Sequence, residues 1–211
     1  GTDKSDSGNS VSFDSSGNIF ITGHTSGTFN ENTDSAGMGV FLTKLSNSGA
    51  VIWTQQWGTS ENDYGESVSV TGSGDIFVSG HTNSDVEGYN TVAKMFLTKL
   101  NSDGLKMWTK VWSSGGDDEI NCLTVDAPGN IFVAGYTGNS DIFLTKLSGD
   151  GTALWTDQWG TAEADSGQSV VVDIFNNIFV AGYTHGDLDG NTGSGGYDIF
   201  LSIFRLTDLE G

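Results

Sequence analysis

A chain of 211 residues with 31 glycines, one proline and only 17% charged residues is neither a Pro-rich linker nor a helical bundle fed by Glu, Lys and Leu, and it can form one large domain or two small ones. Its 8 basic residues against 27 acidic ones give a net charge of −19, which repels nucleic acid and anionic membranes and leaves cations, cationic patches and neutral sugars as partners. No apolar run approaches the ~18 residues of a membrane span, and a chain that begins Gly1-Thr2 without a signal peptide is expected to be a processed or excerpted piece of something longer.

In chain order, Asp6 opens the first copy of a unit that returns at Asp63, Asp118 and Asp165. Each copy starts with a short alternating run: Val11-Ser12-Phe13, Val68-Ser69-Val70, Leu123-Thr124-Val125 and Val170-Val171-Val172. This predicts a first strand. A tight turn follows, Ser15-Ser16-Gly17-Asn18 in copy one and Ala127-Pro128-Gly129-Asn130 in copy three, where Gly and Asn tolerate the positive φ of a hairpin. The second strand is nearly constant: Ile19 to Thr25, Ile76 to Thr82, Ile131 to Thr137 and Ile178 to Thr184. After a loop of varying length comes a third, Phe41 to Leu45, Phe96 to Leu100, Phe143 to Leu147 and Phe200 to Phe204. A second Gly turn then leads to a fourth strand, Ile52 to Trp57 and its relatives.

Trp53 to Trp108 is 55 residues and Trp108 to Trp155 is 47, the length of a four-stranded propeller blade. A tandem β-sandwich would need about 100 residues per domain. The chain therefore reads as an all-β protein, a β-propeller of four-stranded antiparallel blades. Its copies span approximately 1–57, 58–112, 113–159 and 160–211, and the last lacks its fourth strand because Arg205-Leu206-Thr207-Asp208-Leu209 holds no tryptophan. Four blades could close a small ring with a weak seam; the reading favoured is consecutive blades of a larger ring of roughly six to eight.

The pattern D-x-G-x-S-V-x-x-D-x-x-G-N-I-F-V-x-G-x-T, followed by D-x-F-L-x-K-L-x-x-x-G-x-x-x-W-x-x-x-W-G, runs through essentially the whole chain. It resembles the β-propeller repeat known as SBBP, found in large secreted and cell-surface proteins. Its second half is similar to the tryptophan-docking motif of quinoprotein propellers. The resemblance implies a propeller fold and an extracellular or cell-surface setting, and it brings no agreed activity or catalytic residues.

All six tryptophans form W-x-x-x-W pairs, Trp53/Trp57, Trp108/Trp112 and Trp155/Trp159. Spacing by four places both rings on one face of a strand. The expectation is packing, with Trp53, Trp108 and Trp155 buried between neighbouring sheets; a platform for sugar rings is the alternative. His24 and His81 share a column with Tyr136 and Tyr183, which suggests aromatic packing, since a metal or base role would hardly alternate with Tyr. His185 has no Cys or His partner at ligand spacing. Lys44, Lys99 and Lys146 share a third-strand column, while Asp14, Asp126 and Asp173 end first strands, which suggests ion pairs within a blade; Ile203 replaces the Lys in copy four and Thr71 the Asp in copy two. Cys122 aligns with Ser10, Ser67 and Ser169 and reads as a small buried residue.

The acidic residues cluster where first strands begin and second strands end. Of the 27, 17 fall there, either as a solvated surface or as a site for cations or a basic partner. Within that set Asp187, Asp189, Asn191 and Asp198 resemble an oxygen-rich calcium loop, in which carboxylates and carbonyls alternate around a hard cation. Thr192 stands where such a loop has Gly, and strands replace the flanking helices. No G-x-S-x-G elbow, H-E-x-x-H or phosphate loop occurs, so no catalytic residue is assigned and calcium is the one cofactor considered. The functional expectation is a non-catalytic extracellular or cell-surface scaffold or interaction module, its partners other protein chains or neighbouring domains of a larger protein. A carbohydrate-binding propeller is the alternative and an enzyme stands third. The expectation rests on recurrent strand residues and variable loops.

Overall fold

Period-two alternation and β-branched or aromatic residues put nearly every regular residue into strands. The computed structural model describes residues 1–29, 37–84, 94–188, 190–193 and 195–205, and no helix occurs among them. The first sheet orders β1 (Asp6–Phe13), β2 (Ile19–Thr25), β3 (Gly39–Leu45) and β4 (Val51–Trp57). The second orders β5 (Asp63–Val70), β6 (Ile76–Thr82), β7 (Lys94–Leu100) and β8 (Lys106–Trp112). The third comprises β9 (Glu119–Val125), β10 (Ile131–Tyr136), β11 (Ile142–Leu147) and β12 (Ala153–Trp159). The fourth has three strands among the described residues, β13 (Asp165–Val172), β14 (Ile178–Thr184) and β15 (Asp198–Phe204). All pairings are antiparallel between sequential strands.

One device makes all four first turns. In copy one the Asp14 carboxylate accepts from the backbone N–H and the side-chain amide of Asn18, at 2.9 and 2.8 Å. Asp126–Asn130 and Asp173–Asn177 repeat this, and Thr71 replaces the acid in copy two. The residue before the Asn or Asp is left-handed each time, Gly17, Gly74, Gly129 and Asn176 with φ of 78, 90, 92 and 63°, where only Gly and Asn are at ease.

The chain divides into two compact units, one through Ser113 and one from Ser114. In the first, Phe20, Val40 and Leu42 of the first sheet interlock with Val68, Ile76, Val78, Phe96 and Leu100 of the second. In the second unit, Phe132, Ala134, Ile142 and Leu144 meet Val170, Ile178, Val180 and Leu188. Burying each large side chain contributes about 1.5–3 kcal/mol. Within each unit the first strand of the later sheet, β5 or β13, packs against the first three strands of the earlier one.

Candidate functional site

Each first strand carries a β-bulge. Register slips between Gly8 and Ser10, Gly65 and Ser67, and Gly167 and Ser169, and opposite Ala134/Gly135 in the third sheet. The extra residues are Asn9, Glu66, Gln168 and Asn121. The glycine of each second strand lies directly against the bulge. A Cβ on Gly23, Gly80, Gly135 or Gly182 would stand 1.8–1.9 Å from the carbonyl oxygen of Ser7, Tyr64, Glu119 or Ser166, so no other residue fits. Bulges re-aim side chains and favour the surroundings of active sites.

In the first unit the bulges gather a polar, aromatic cluster. Asn9 Nδ2 donates to the Gly65 carbonyl and to Glu66 Oε2, both at 3.0 Å, and lies 3.4 Å from His24 Nδ1. The His24 ring, next in chain after Gly23, meets Tyr64 edge-on at 4.9 Å, and Tyr64 stacks on His81 at 4.6 Å. His81 Nδ1 lies 3.9 Å from Glu66 Oε1. Burial holds the His24 pKa below its usual value, so its imidazole is neutral at pH 7 and can accept a proton. The cluster thus joins a neutral imidazole, a phenol, an amide and an imidazole–carboxylate pair, the functional groups of general acid–base chemistry.

The corresponding positions of the second unit hold phenols. Asn121 Nδ2 donates to Ser166 Oγ at 3.0 Å and to the Gly167 carbonyl at 2.9 Å. Burial, followed by the hydrogen bond and charge of Glu119, pushes the Tyr136 pKa up. Tyr183 meets Tyr197 edge-on at 4.9 Å, and His185 meets Tyr197 at 3.8 Å. The shared His/Tyr column pointed to packing; it did not reveal that bulges bring Asn9 and Glu66 beside the two histidines. The signal in the sequence was the glycine preceding each column residue.

The acidic positions divide. Thr59 donates its N–H and hydroxyl to Asp63 Oδ2 at 2.5 and 2.9 Å, and Thr161 serves Asp165 in the same way at 2.5 and 3.0 Å. Ser114 does so for Asp118, and Thr2 for Asp6. Asp63, Asp118 and Asp165 are buried. Asp63, Asp118 and Asp165 therefore close loops from buried positions, and Asp6 closes one from an exposed position. Glu31, Asp34, Asp85, Glu87 and Asp189 lie outside the described residues. In the loop from Asp187, Asp187 Oδ1 accepts from the Gly193 N–H at 2.8 Å. A Cβ on Gly193 would stand 2.9 Å from Asp198 Oδ2 and 3.6 Å from Asp187 Oδ1, so both carboxylates flank one backbone position. Asn191 turns its amide to the Leu188 carbonyl at 3.3 Å. Among the described residues no three His, Cys, Asp or Glu side chains form a metal-holding group.

The tryptophans are partly buried rather than enclosed. Trp53, Trp108 and Trp155 lie 6.2, 6.1 and 6.3 Å from Phe20, Phe77 and Phe132. Trp159 packs on Phe200 and Phe204, so its face is not a free sugar platform. The lysine column also differs from expectation. Lys44, Lys99 and Lys146 place Nζ 5.2, 5.4 and 5.5 Å over the rings of Phe20, Phe77 and Phe132, a cation–π arrangement. Lys99 also pairs with Asp75 at 2.9 Å, an ion pair within one sheet as expected. Burial raises the Asp14 pKa, but hydrogen bonds from Asn18 and Ser16, with the Lys44 charge, outweigh it and hold it low. Cys122 is buried, its thiol pushed up to about 12 by that burial, and is inert.

The family model described as Beta-propeller repeat, SBBP, matches residues 1–30 and 154–189. Those two stretches match repeats of this kind, and the sheets, built of sequential antiparallel strands, are consistent with propeller blades. No curated protein matches the chain. Among solved structures it is similar to a protein of unknown function from Bacteroides caccae, with 12% identity over 84% of this chain and 57% of that one, TM-score 0.49. A gluconolactonase from Xanthomonas campestris gives 12% over 83% and 54%, TM-score 0.48. A GH43 endo-arabinanase from Bacillus licheniformis gives 13% over 92% and 71%, TM-score 0.44. The chain spans just over half the length of the first two.

The expectation of a non-catalytic scaffold, with its carbohydrate-binding alternative, is corrected here. The solved structures just named include a gluconolactonase and an endo-arabinanase and no scaffold, and nothing among the described residues shows a scaffold role. The physical reason is that every propeller must repeat its core, so recurrent strand residues do not separate a scaffold from an enzyme. Identities of 12 and 13% equally do not establish enzyme activity in this chain. No helix among the described residues is long and apolar enough to cross a membrane.

Proposed function

We propose that these SBBP-type blades form part of a propeller that acts on a small, uncharged, hydroxyl-bearing ligand by proton transfer, with the cluster Asn9, His24, Tyr64, Glu66 and His81 as its centre. The observation that carries this reading is the pair of β-bulges at Asn9 and Glu66, which aim an amide and a carboxylate at two histidines joined through a tyrosine. His24 acts as proton acceptor. Glu66 orients His81, and Asn9 and Tyr64 offer hydrogen bonds and a ring face. The net charge of −19 disfavours anionic substrates, so a neutral ligand fits. The resemblance to repeats of secreted and cell-surface proteins supports an extracellular setting. For the Asp187–Asp198 loop we propose calcium, supported by the two carboxylates beside Gly193.

The test is turnover of a panel of small, neutral, hydroxyl-bearing compounds across pH 5–8. Because the folded His24 pKa lies below its unfolded value of 6.5, both its basic form and its contribution to stability are complete above pH 6.5. Both are lost as pH falls through the folded pKa. Activity should fall on that acid limb. His24→Gln and Glu66→Gln should each lower kcat roughly a hundredfold or more, whereas His185→Gln should leave it unchanged. Turnover that survives His24→Gln with an unaltered pH profile would overturn the reading.

A further inference from the structure

The threonine that ends each second strand stands opposite the residue that opens the third. Thr25 faces Gly39, Thr82 faces Lys94 and Thr184 faces Asp198. In the third sheet Thr137 and Asp141 hold this place, one step beyond the Tyr136/Ile142 pair and joined by a backbone hydrogen bond of 2.9 Å. The column already holds one cation. Lys94 is 1% exposed, and its Nζ donates to the Ser84 carbonyl at 2.8 Å. Asp141 puts a carboxylate where that ammonium stands. The Asp165 N–H donates to the Ser140 carbonyl at 2.8 Å, which hangs the start of β13 beside Asp141. A Cβ on Gly160 would stand 2.7 Å from Asp165 Oδ2 and 2.8 Å from Asp141 Oδ1, so two carboxylates border one Cβ-sized space. Gly160 has no left-handed backbone; what its missing side chain supplies is that space, which opens to solvent because the residue is exposed. In the first unit Asp63 hangs in the same way from Met38 at 2.8 Å, with Gly39 in place of the second acid.

Two buried oxygens at this junction are left over. Asp165 is 2% exposed, and its Oδ1 has no hydrogen-bond partner among the described residues; the same holds for Oγ1 of Thr137, which is 3% exposed. Elsewhere the corresponding atoms are served. Thr25 donates to Asp6 Oδ1, and Asp118 Oδ1 accepts from the Ser114 hydroxyl and the Gly138 N–H. Thr82 donates to Ser84 Oγ at 3.2 Å. Thr184, opposite Asp165, gives its hydroxyl to the Gly186 carbonyl at 3.2 Å instead. A buried carboxylate oxygen is stable when it is paired or coordinated, and an ionised Asp141 adds negative charge and no donor.

We propose that Thr137, Asp141 and Asp165 hold a small monovalent cation, sodium or potassium. Its ligands are the Asp165 Oδ1, a carboxylate oxygen of Asp141 and the Thr137 hydroxyl, with water completing the shell from the Gly160 side. Asp165 Oδ2 already accepts two hydrogen bonds from Thr161, and Asp141 is partly exposed. One positive charge therefore suffices, as one ammonium does at Lys94. Calcium gathers roughly six to eight oxygens, more than these three side chains supply.

The test is thermal melting of the intact chain, followed by tryptophan fluorescence, in the chlorides of sodium, potassium and tetramethylammonium. Equal ionic strength holds screening constant, and tetramethylammonium is too bulky for the site. Sodium or potassium should raise the melting temperature by roughly 2–4 °C over tetramethylammonium. Asp141→Asn should remove that difference. Asp141→Lys restores the residue type of Lys94; it should also remove the difference and, in tetramethylammonium chloride, should melt above Asp141→Asn. Glu163→Gln neutralises an exposed acid of the loop that clasps Asp165 and should keep the difference. Equal melting in the three salts, loss of the difference in Glu163→Gln, or an Asp141→Lys variant no more stable than Asp141→Asn would each overturn the proposal. A calcium response that vanishes in Asp141→Asn would overturn the assignment of a monovalent ion.

Discussion

Among the described residues the second and fourth sheets share one frame, with four strands in the second and three in the fourth. β5 and β13 carry the same bulge, the same Thr-x-x-x-Asp clasp and the same tight turn to the next strand. Their hydrogen-bonded frames are interchangeable. Their apolar faces are not. Met95 and Leu97 of β7 are buried, while Ile199 and Leu201 of β15 are 94% and 62% exposed. Phe77 is capped by Trp108 and by Lys99, while Phe179 has Ile203 across from it. The difference teaches that a blade's frame is fixed by contacts within about four residues, whereas its burial depends on strands that come from elsewhere.

The largest expected effect sharpens that contrast. Phe77→Ala removes a buried ring from beneath an indole and an ammonium, and should cost roughly 3–5 kcal/mol. Phe179→Ala removes a partly exposed ring and should cost about 1 kcal/mol, because less apolar area returns to water. Urea midpoints of the two variants measure this directly. Equal losses would mean that the face of β14 is covered as fully as that of β6.

Where the sheets agree, variants must agree. Asp63→Ala and Asp165→Ala each leave a buried threonine clasp without its acceptor, and each should cost roughly 1–3 kcal/mol. A difference beyond about 1 kcal/mol between them would break the claim that the frames are interchangeable. Asp6→Ala is the exposed counterpart and should cost less, since water can replace the lost acceptor.

The repeat, its strand order and its turns were legible because they depend on local chemistry. Gly17, Gly74, Gly129 and Asn176 announce left-handed backbone, and W-x-x-x-W announces a strand face. The bulges were hidden, although their signature, a glycine in the middle of a β-branched strand, recurs four times. Its meaning is a carbonyl on the neighbouring strand, and sequence alone does not show which strand lies there. The clasped aspartates were misread as surface charge, since an acid four residues after a threonine looks the same whether its oxygens face water or the backbone. The lysines were placed correctly in their column, and Lys99 forms an ion pair within its blade, with Asp75. What the sequence did not show is that the ammonium groups also sit over phenylalanine rings and that Asp14, Asp126 and Asp173 serve the turns.

The smallest expected effect concerns the loop before β15. In the third sheet the corresponding connection is a short turn, closed by hydrogen bonds between Thr137 and Asp141 and between Ser140 and Thr137. The fourth sheet inserts a longer segment, which brings Asp187 and Asp198 to either side of Gly193. Two carboxylates at one backbone position repel each other, and a hard cation between them would relieve that repulsion. Binding near the dissociation constant stabilises the fold by only about 1 kcal/mol or less, so the readout is a modest rise in melting temperature. Millimolar calcium should raise it more than magnesium at matched ionic strength, because magnesium demands stricter octahedral geometry. Asp187→Ala combined with Asp189→Ala should remove the difference between the ions. The same titration on Asp118→Ala should retain it, since that carboxylate is committed to Ser114 and Gly138. An equal response to calcium, magnesium and sodium chloride would reduce the loop to screened surface charge, and the longer connection would then differ from its short counterpart in length alone.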